Sequence, residues 1–296
     1  MDRKKFLKNA LLGTAGAALG GQALRAEPAA GSPVKPASTY DRLMEEVGFN
    51  HLPNEELRAP NAVYHPADSR GGADHSWLQT RHSFSFANYR NPERMSFGVL
   101  RVLNDDAVAP GRGFPTHPHD NMEIISIPLS GDLEHQDSMG NTAVIREGDI
   151  QVMSAGSGIR HSEYNRNSNK EVRFLQIWLF PRERSVAPRY DQITVDPAAR
   201  QPGFSQILSP NPDDAGVWIH QDAWFDWGQL PAGFKSTHRL RRNENGLYAF
   251  LLEGTATVNG QAMGPRDGYG VWDTASVTVE ASQDATLLLM EVPMRV

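Results

Sequence analysis

The densest chemistry in the chain is the run Gly111-Arg112-Gly113-Phe114-Pro115-Thr116-His117-Pro118-His119-Asp120-Asn121-Met122-Glu123. Successive side chains of a strand point to opposite faces, so His117 and His119 share a face. A second run, Ser154 to Asn165, carries His161 and Glu163, again two apart and on one face. Two such pairs on neighbouring strands can converge on one point inside a barrel. Three neutral imidazoles and a carboxylate suit Fe, Mn, Co, Ni, Cu or Zn. Around a six-coordinate ion, four protein ligands leave two positions for water, substrate or oxygen. The carboxylate has two candidates, because Glu123 keeps the parity of His117 and His119 if the strand runs on without a bulge. The sequence contains no cysteine, which removes disulfides, thiolate ligands and a cysteine nucleophile. A single His-x-His is weak evidence for a metal, and the weight here lies in the two pairs together.

These pairs need strands to hold them. From Ala62 onward the texture is short apolar runs broken by Gly, Pro, Asn and Asp. Met95 to Leu103, Met122 to Leu129, Thr142 to Arg146, Ile150 to Met153 and Val172 to Phe180 read as strands. Phe174 to Phe180 is apolar at almost every position, so this strand should be covered on both faces. Residues 62–186 form the first, metal-binding domain, 187–216 a polar, Pro-rich connection, and 217–296 a second strand-rich domain. Within the latter, Val258-Asn259-Gly260-Gln261 is a hairpin signal, since Asn-Gly accepts the positive φ of a tight turn. The halves rhyme: Pro128-Leu129-Ser130-Gly131-Asp132 matches Leu251-Leu252-Glu253-Gly254-Thr255, which suggests a duplicated β-barrel. The second half lacks the ligands. Gly233-Phe234-Lys235-Ser236-Thr237-His238 offers one histidine where the first half has two, and nothing after Asp273 replaces His161. His75 and His82 read as structural groups, and His135, in a charged run, as solvated. Trp224, Phe225 and Trp227 read as packing.

The N-terminus has a different texture. Asp2-Arg3-Lys4-Lys5-Phe6-Leu7-Lys8 is a positive start, followed by a small, apolar stretch from Asn9 to Leu24 and a small-residue exit near Ala26. That is the pattern of a secretory signal over 1–26, resembling the twin-arginine type with Lys4 in place of the second Arg. The stretch is too short and too Gly/Ala-rich to span a bilayer comfortably. Residues 27–61 read as a Pro/Ala/Gly-rich spacer with two helical turns over Tyr40 to Val47. The expectation is a periplasmic protein, free of the membrane after processing. The alternative is a cytoplasmic protein with a frayed N-terminus. A net charge of -6 argues against nucleic acid as a partner.

The residues from Gly111 to Glu123, and Gly148, His161 and Asn165, resemble the two motifs of the cupin superfamily, although Ser154 or Gly156 stands where proline is usual. More specifically, Ser69-Arg70-Gly71-Gly72-Ala73-Asp74-His75, Arg81-His82-Ser83-Phe84-Ser85-Phe86, His117-Pro118-His119, Asp137-Ser138-Met139-Gly140-Asn141 and Ser157-Gly158-Ile159-Arg160-His161-Ser162-Glu163 resemble the pirin family. That resemblance implies an all-β fold of two tandem cupin barrels, of the double-stranded β-helix or jelly-roll kind. It implies one divalent ion per chain, Fe2+ first, held by His117, His119, His161 and Glu163, with a metal-free second barrel. Glu123 then either acts from outside the ligand set, bonding a ligand imidazole, or stands as an alternative ligand. Such pirins are similar to quercetin 2,3-dioxygenases, which implies a flavonol-like aromatic substrate, O2 as co-substrate, release of CO, and Glu163 as catalytic base. Phe97, Met122, Met153 and Phe174 are the candidates to hold the aromatic rings. The rival expectations are a non-catalytic, redox-sensing interaction module and a different cupin enzyme, an isomerase or a Zn hydrolase.

Overall fold

The computed structural model describes residues 62–195 and 202–295. The expected export signal and spacer over 1–61 lie outside the described residues. The described chain is all-β, with two short 3-10 turns at Ala67–Ser69 and Pro92–Arg94. No helix among these residues is long and apolar enough to cross a membrane.

Each half builds a barrel from a seven-stranded and a four-stranded sheet. In the first barrel the large sheet runs Arg189–Thr194, Asp149–Ser154, Glu123–Ser130, Val172–Leu179, Leu100–Val108, Leu78–His82, Gly71–Asp74. The small sheet facing it runs Gly113–His119, Ile159–Asn165, Asp132–Asp137, Thr142–Arg146. In the second barrel the large sheet runs Ala62–His65, Gly268–Val271, Asn245–Glu253, Ala285–Pro293, Trp224–Leu230, Gly203–Ser209, Val217–Trp218. Its small sheet is Phe234–Arg239, Ser276–Ala281, Ala256–Val258 and Gln261–Met263.

Two boundaries differ from the expected ones. Ala62–His65 opens the chain of the first barrel but pairs antiparallel with Gly268–Val271 of the second. Two strands lie within the expected connection 187–216: Arg189–Thr194 completes the first barrel's sheet against Asp149–Ser154, and Gly203–Ser209 joins the second's. At Arg189–Thr194 polarity misled the reading, because this edge strand exposes one side and carries polar residues.

The main core lies between the barrels. Leu175, Ile177 and Leu179 from one large sheet join Phe225, Tyr248, Phe250, Leu288 and Met290 from the other in a single buried cluster. Their alternating neighbours Phe174, Gln176 and Trp178 point the other way, so Val172–Leu179 is covered on both faces, as its composition required. The two barrel interiors then differ. The second is filled by aliphatic residues including Leu247, Ala249, Leu251, Val277 and Leu287. The first has a small apolar floor of Leu78, Val108, Leu133, Ile145, Val172 and Phe174, with polar groups above it.

Candidate metal centre

Gly113–His119 and Ile159–Asn165 lie side by side, antiparallel, with His117 opposite His161. The register slips between His161 and Glu163, where the Gly113–His119 strand carries one extra residue. Gly113 is required at this seam, because a Cβ there would sit 2.2 Å from the Glu163 carbonyl. The result brings His117, His119 and His161 together, with one ring nitrogen of each within 4.8 Å of the others. The ring centroids are 4.8 Å (His117–His119), 4.4 Å (His117–His161) and 5.0 Å (His119–His161) apart.

The nitrogens at the centre are bare. His119 Nε2 and His161 Nε2 are buried and have no hydrogen-bond partner. His117 Nδ1 lies 2.8 Å from the Pro115 carbonyl, which can only accept, so His117 donates from Nδ1 and its Nε2 keeps a lone pair. Burial pushes the His119 pKa well below the ordinary histidine value, and the neighbouring His161 and His117 push it further. Burial, then His117 and His135, does the same to His161. Neutral imidazoles with unshared, buried lone pairs are costly unless something occupies their focus. The donor set suits a divalent transition ion.

Glu163 stands outside the cluster of three. It is buried, accepting from Ser126 Oγ at 3.0 Å and Gln176 Nε2 at 2.8 Å. Each oxygen keeps a further lone pair. Glu123 is elsewhere. The chain turns at Asn121, whose φ is 46°, and Glu123 opens a strand of the other sheet. Three residues on, Ser126 points inward to Glu163, so Glu123 points outward, toward the second barrel. Its Oε2 accepts from Ser154 Oγ at 2.8 Å. The strand ends at His119, so Glu123 does not share the face of His117 and His119.

Burial raises the Glu123 pKa to about 7, against the opposing pull of Ser154, the His220 backbone, Arg189 and Arg182. A carboxyl whose folded pKa exceeds its unfolded one favours folding when protonated. Its contribution is complete below the unfolded value near 4.5 and lost as pH rises through about 7. Asp106, also raised to about 7 by burial, adds to the same slope. Glu123→Gln should therefore leave stability unchanged at pH 4 and raise it by on the order of 1–3 kcal/mol at pH 8. Urea denaturation at the two pH values measures this, and metal affinity should not change.

Other expectations need correction. His135 is fully buried, not solvated, with Nε2 3.0 Å from Asp137 Oδ2 and Nδ1 3.4 Å from His161 Nδ1. Phe97 packs on Tyr248 and Trp272 between the barrels, Met122 and Met153 belong to that same core, and Phe174 lies in the barrel floor. The aromatic ring at the histidines is Trp178, edge-on to His119 at 4.9 Å, with Phe86 edge-on to it at 5.4 Å. Trp178 Nε1 is buried without a hydrogen-bond partner. Behind Phe86, His82 donates from Nδ1 to Asn104 Oδ1 at 2.8 Å and stands beside Tyr89, ring on ring at 6.4 Å. Trp178 was readable only as part of an apolar strand; its inward parity with Gln176 was the available signal. In the second barrel His238 sits against Phe204 and 3.8 Å from Asp226, which is held by Arg241, and no metal-binding cluster of three occurs there among the described residues.

Two β-barrels in tandem, one with a histidine centre and one with an aliphatic interior, define a bicupin. Residues 64–179 match the pirin family, and residues 206–292 match the quercetinase C-terminal cupin domain. Quercetin 2,3-dioxygenase from Escherichia coli is 41% identical over 227 residues, covering 77% of this chain and 96% of that protein. A pirin-like protein from Caulobacter vibrioides is 43% identical over 227 residues, covering 76% and 97%. The crystal structure of a bacterial pirin from Escherichia coli in complex with nickel(II) superposes with a TM-score of 0.75 at 39% identity, covering 79% of this chain and 100% of that one. The chain belongs to the pirin family.

Proposed function

We propose that the protein is a metal-dependent dioxygenase that cleaves a flavonol such as quercetin with O2 and releases CO. The observation that carries this reading is the convergence of three bare imidazole nitrogens beside a tryptophan edge with an unused N–H. The relatives named for quercetin cleavage support the substrate class, and the nickel-bound relative supports a divalent ion. In this reading His117, His119 and His161 hold the ion, Fe2+ by preference, and Glu163 completes the set. The ion, when bound, supplies Lewis acidity and a position for the substrate's 3-hydroxyl oxygen.

The remaining work falls to the chain. Glu163 takes the 3-hydroxyl proton, and Ser126 and Gln176 keep its carboxylate aimed while it does so. Trp178 and Phe86 offer edges to a flat ring system, and the Trp178 N–H can donate to a substrate oxygen. The apolar floor under the polar groups keeps bulk water from below.

Anaerobic mixing of metal-loaded protein with quercetin should shift the flavonol band to the red, because binding favours the anion. Admitting oxygen should bleach that band and release CO in equal amount. Flavones lacking the 3-hydroxyl should not react, and metal-stripped protein should do neither step. Unchanged quercetin in air with Fe, Mn, Co, Ni and Cu forms alike would end the dioxygenase reading in favour of the interaction module. Activity with Zn that ignores oxygen would favour a hydrolase.

A further inference from the structure

We propose that Asp137 and His135 are positioning residues that fix the tautomer of His161, so that its bare nitrogen faces the other two histidines. The inference deepens the metal reading above and rests on it.

The chain of hydrogen bonds has one consistent polarity. Asp137 Oδ1 accepts the backbone N–H groups of Met139 at 2.9 Å and Asn141 at 3.1 Å. Its Oδ2 accepts from Asn141 Nδ2 at 2.8 Å and faces His135 Nε2 at 3.0 Å. The turn Asp137-Ser138-Met139-Gly140-Asn141 thus serves to hold one carboxylate, with Gly140 taking the positive φ of 92° that closes it. A carboxylate only accepts, so the hydrogen on this bond belongs to His135 Nε2. A neutral imidazole protonated at Nε2 is bare at Nδ1. His135 Nδ1 faces His161 Nδ1 at 3.4 Å, so the hydrogen between them belongs to His161. His161 is then bare at Nε2, the buried nitrogen without a partner at the centre of the cluster.

The side chains of His135 and Asp137 are both wholly shielded from solvent, and Tyr190 covers His135 with ring centroids 4.7 Å apart. Water therefore cannot substitute at either link. His117 reaches the same state by a shorter route, through the Pro115 carbonyl two residues away. A carboxylate at the end of the His161 chain does more than a carbonyl, because its charge also raises the ligand's basicity.

Replacing the carboxylate by an amide can reverse every link. In Asp137→Asn the amide NH2 can donate to His135 Nε2, moving the hydrogen to Nδ1 and then, on His161, to Nε2, where it blocks the metal. Nickel(II) affinity, measured by competition titration on the full chain, should fall on the order of 10–100-fold. His135→Asn places an amide oxygen where Nδ1 was and cuts Asp137 out of the chain. In that background Asp137→Asn should cost less than about 2-fold. Equal losses in both backgrounds would mean that Asp137 serves the turn alone, and would overturn the proposal. The wild-type protein supplies a test that needs no variant to fold. Long-range 1H–15N spectra of the metal-free, histidine-labelled chain should find His161 protonated at Nδ1 and His135 at Nε2. The opposite pattern overturns the proposal. Wild-type protein that takes up no nickel would instead end the metal reading, with the tautomer pattern still decided by the same spectra.

Discussion

His161→Ala should fold and bind no metal. The loss should exceed the roughly 10–100-fold that follows removal of an outer hydrogen-bond partner, because it removes one of the three converging nitrogens. The thermal signature separates this from damage to the fold. Wild-type protein in nickel at 1,000 times the dissociation constant should gain about 4 kcal/mol over its metal-free form by mass action. The variant should gain nothing. The metal-free variant should lose on the order of 1–3 kcal/mol against metal-free wild type, because His135 Nδ1 is left buried without its partner, and that loss does not depend on nickel. His238→Ala serves as the control. It should keep one ion per chain and the full nickel-dependent gain, because His238 faces Phe204 and Asp226 in the other barrel. Two ions per wild-type chain, or dependence of binding on His238, would reverse the assignment of the site to the first barrel.

Tyr248→Ala should cost about 3–5 kcal/mol, the range for removing a fully buried aromatic ring. Tyr248 is wholly buried and touches three rings: Phe84 and Phe97 at 5.4 Å each, and His65 at 5.9 Å. Phe84 and Phe97 come from the first barrel's chain, Tyr248 from the second's. Its hydroxyl also lies 2.9 Å from His65 Nδ1, and the truncation leaves that nitrogen buried and alone. For a chain of this size the melting temperature should drop by on the order of 10 °C. Calorimetry should record one transition in both proteins, because a single apolar cluster draws on both large sheets. Two transitions, with only one displaced by the substitution, would show that the barrels melt independently.

The parts of this structure that local spacing controls were legible in the sequence. His117 and His119 share a face because a strand has a period of two, and Gly113–His119 is a strand. The doubled covering of Val172–Leu179 followed from its composition. What escaped depends on residues far apart in the chain. Whether Glu123 shared the face of His117 and His119 could not be read locally, because one positive φ at Asn121 sends the chain into the opposite sheet. The charged neighbours of His135 implied solvent, yet its ring is buried against those of His161 and Tyr190. Trp178 could not be separated from the apolar residues around it until its register against Ile124 and Val102 was known. The pairing of Ala62–His65 with Gly268–Val271 spans almost the whole described chain and leaves no local trace.

That last pairing ties the order of synthesis to the order of assembly. The strand made first among those described is stitched to a sheet whose remaining strands are made last. Until Gly268–Val271 emerges, Ala62–His65 has no sheet to join, so the second barrel closes only after nearly the whole polypeptide exists. Long-range closures of this kind are slow, since chain entropy is lost before contacts repay it. They also make the molecule indivisible. Cutting between the barrels at 202 would leave Gly268–Val271 with a raw, hydrogen-bonding flank, and unprotected flanks of that sort recruit other chains. Two domains by architecture are thus one unit by threading, with the histidine centre enclosed in a loop of chain whose two ends are fastened in the neighbouring barrel.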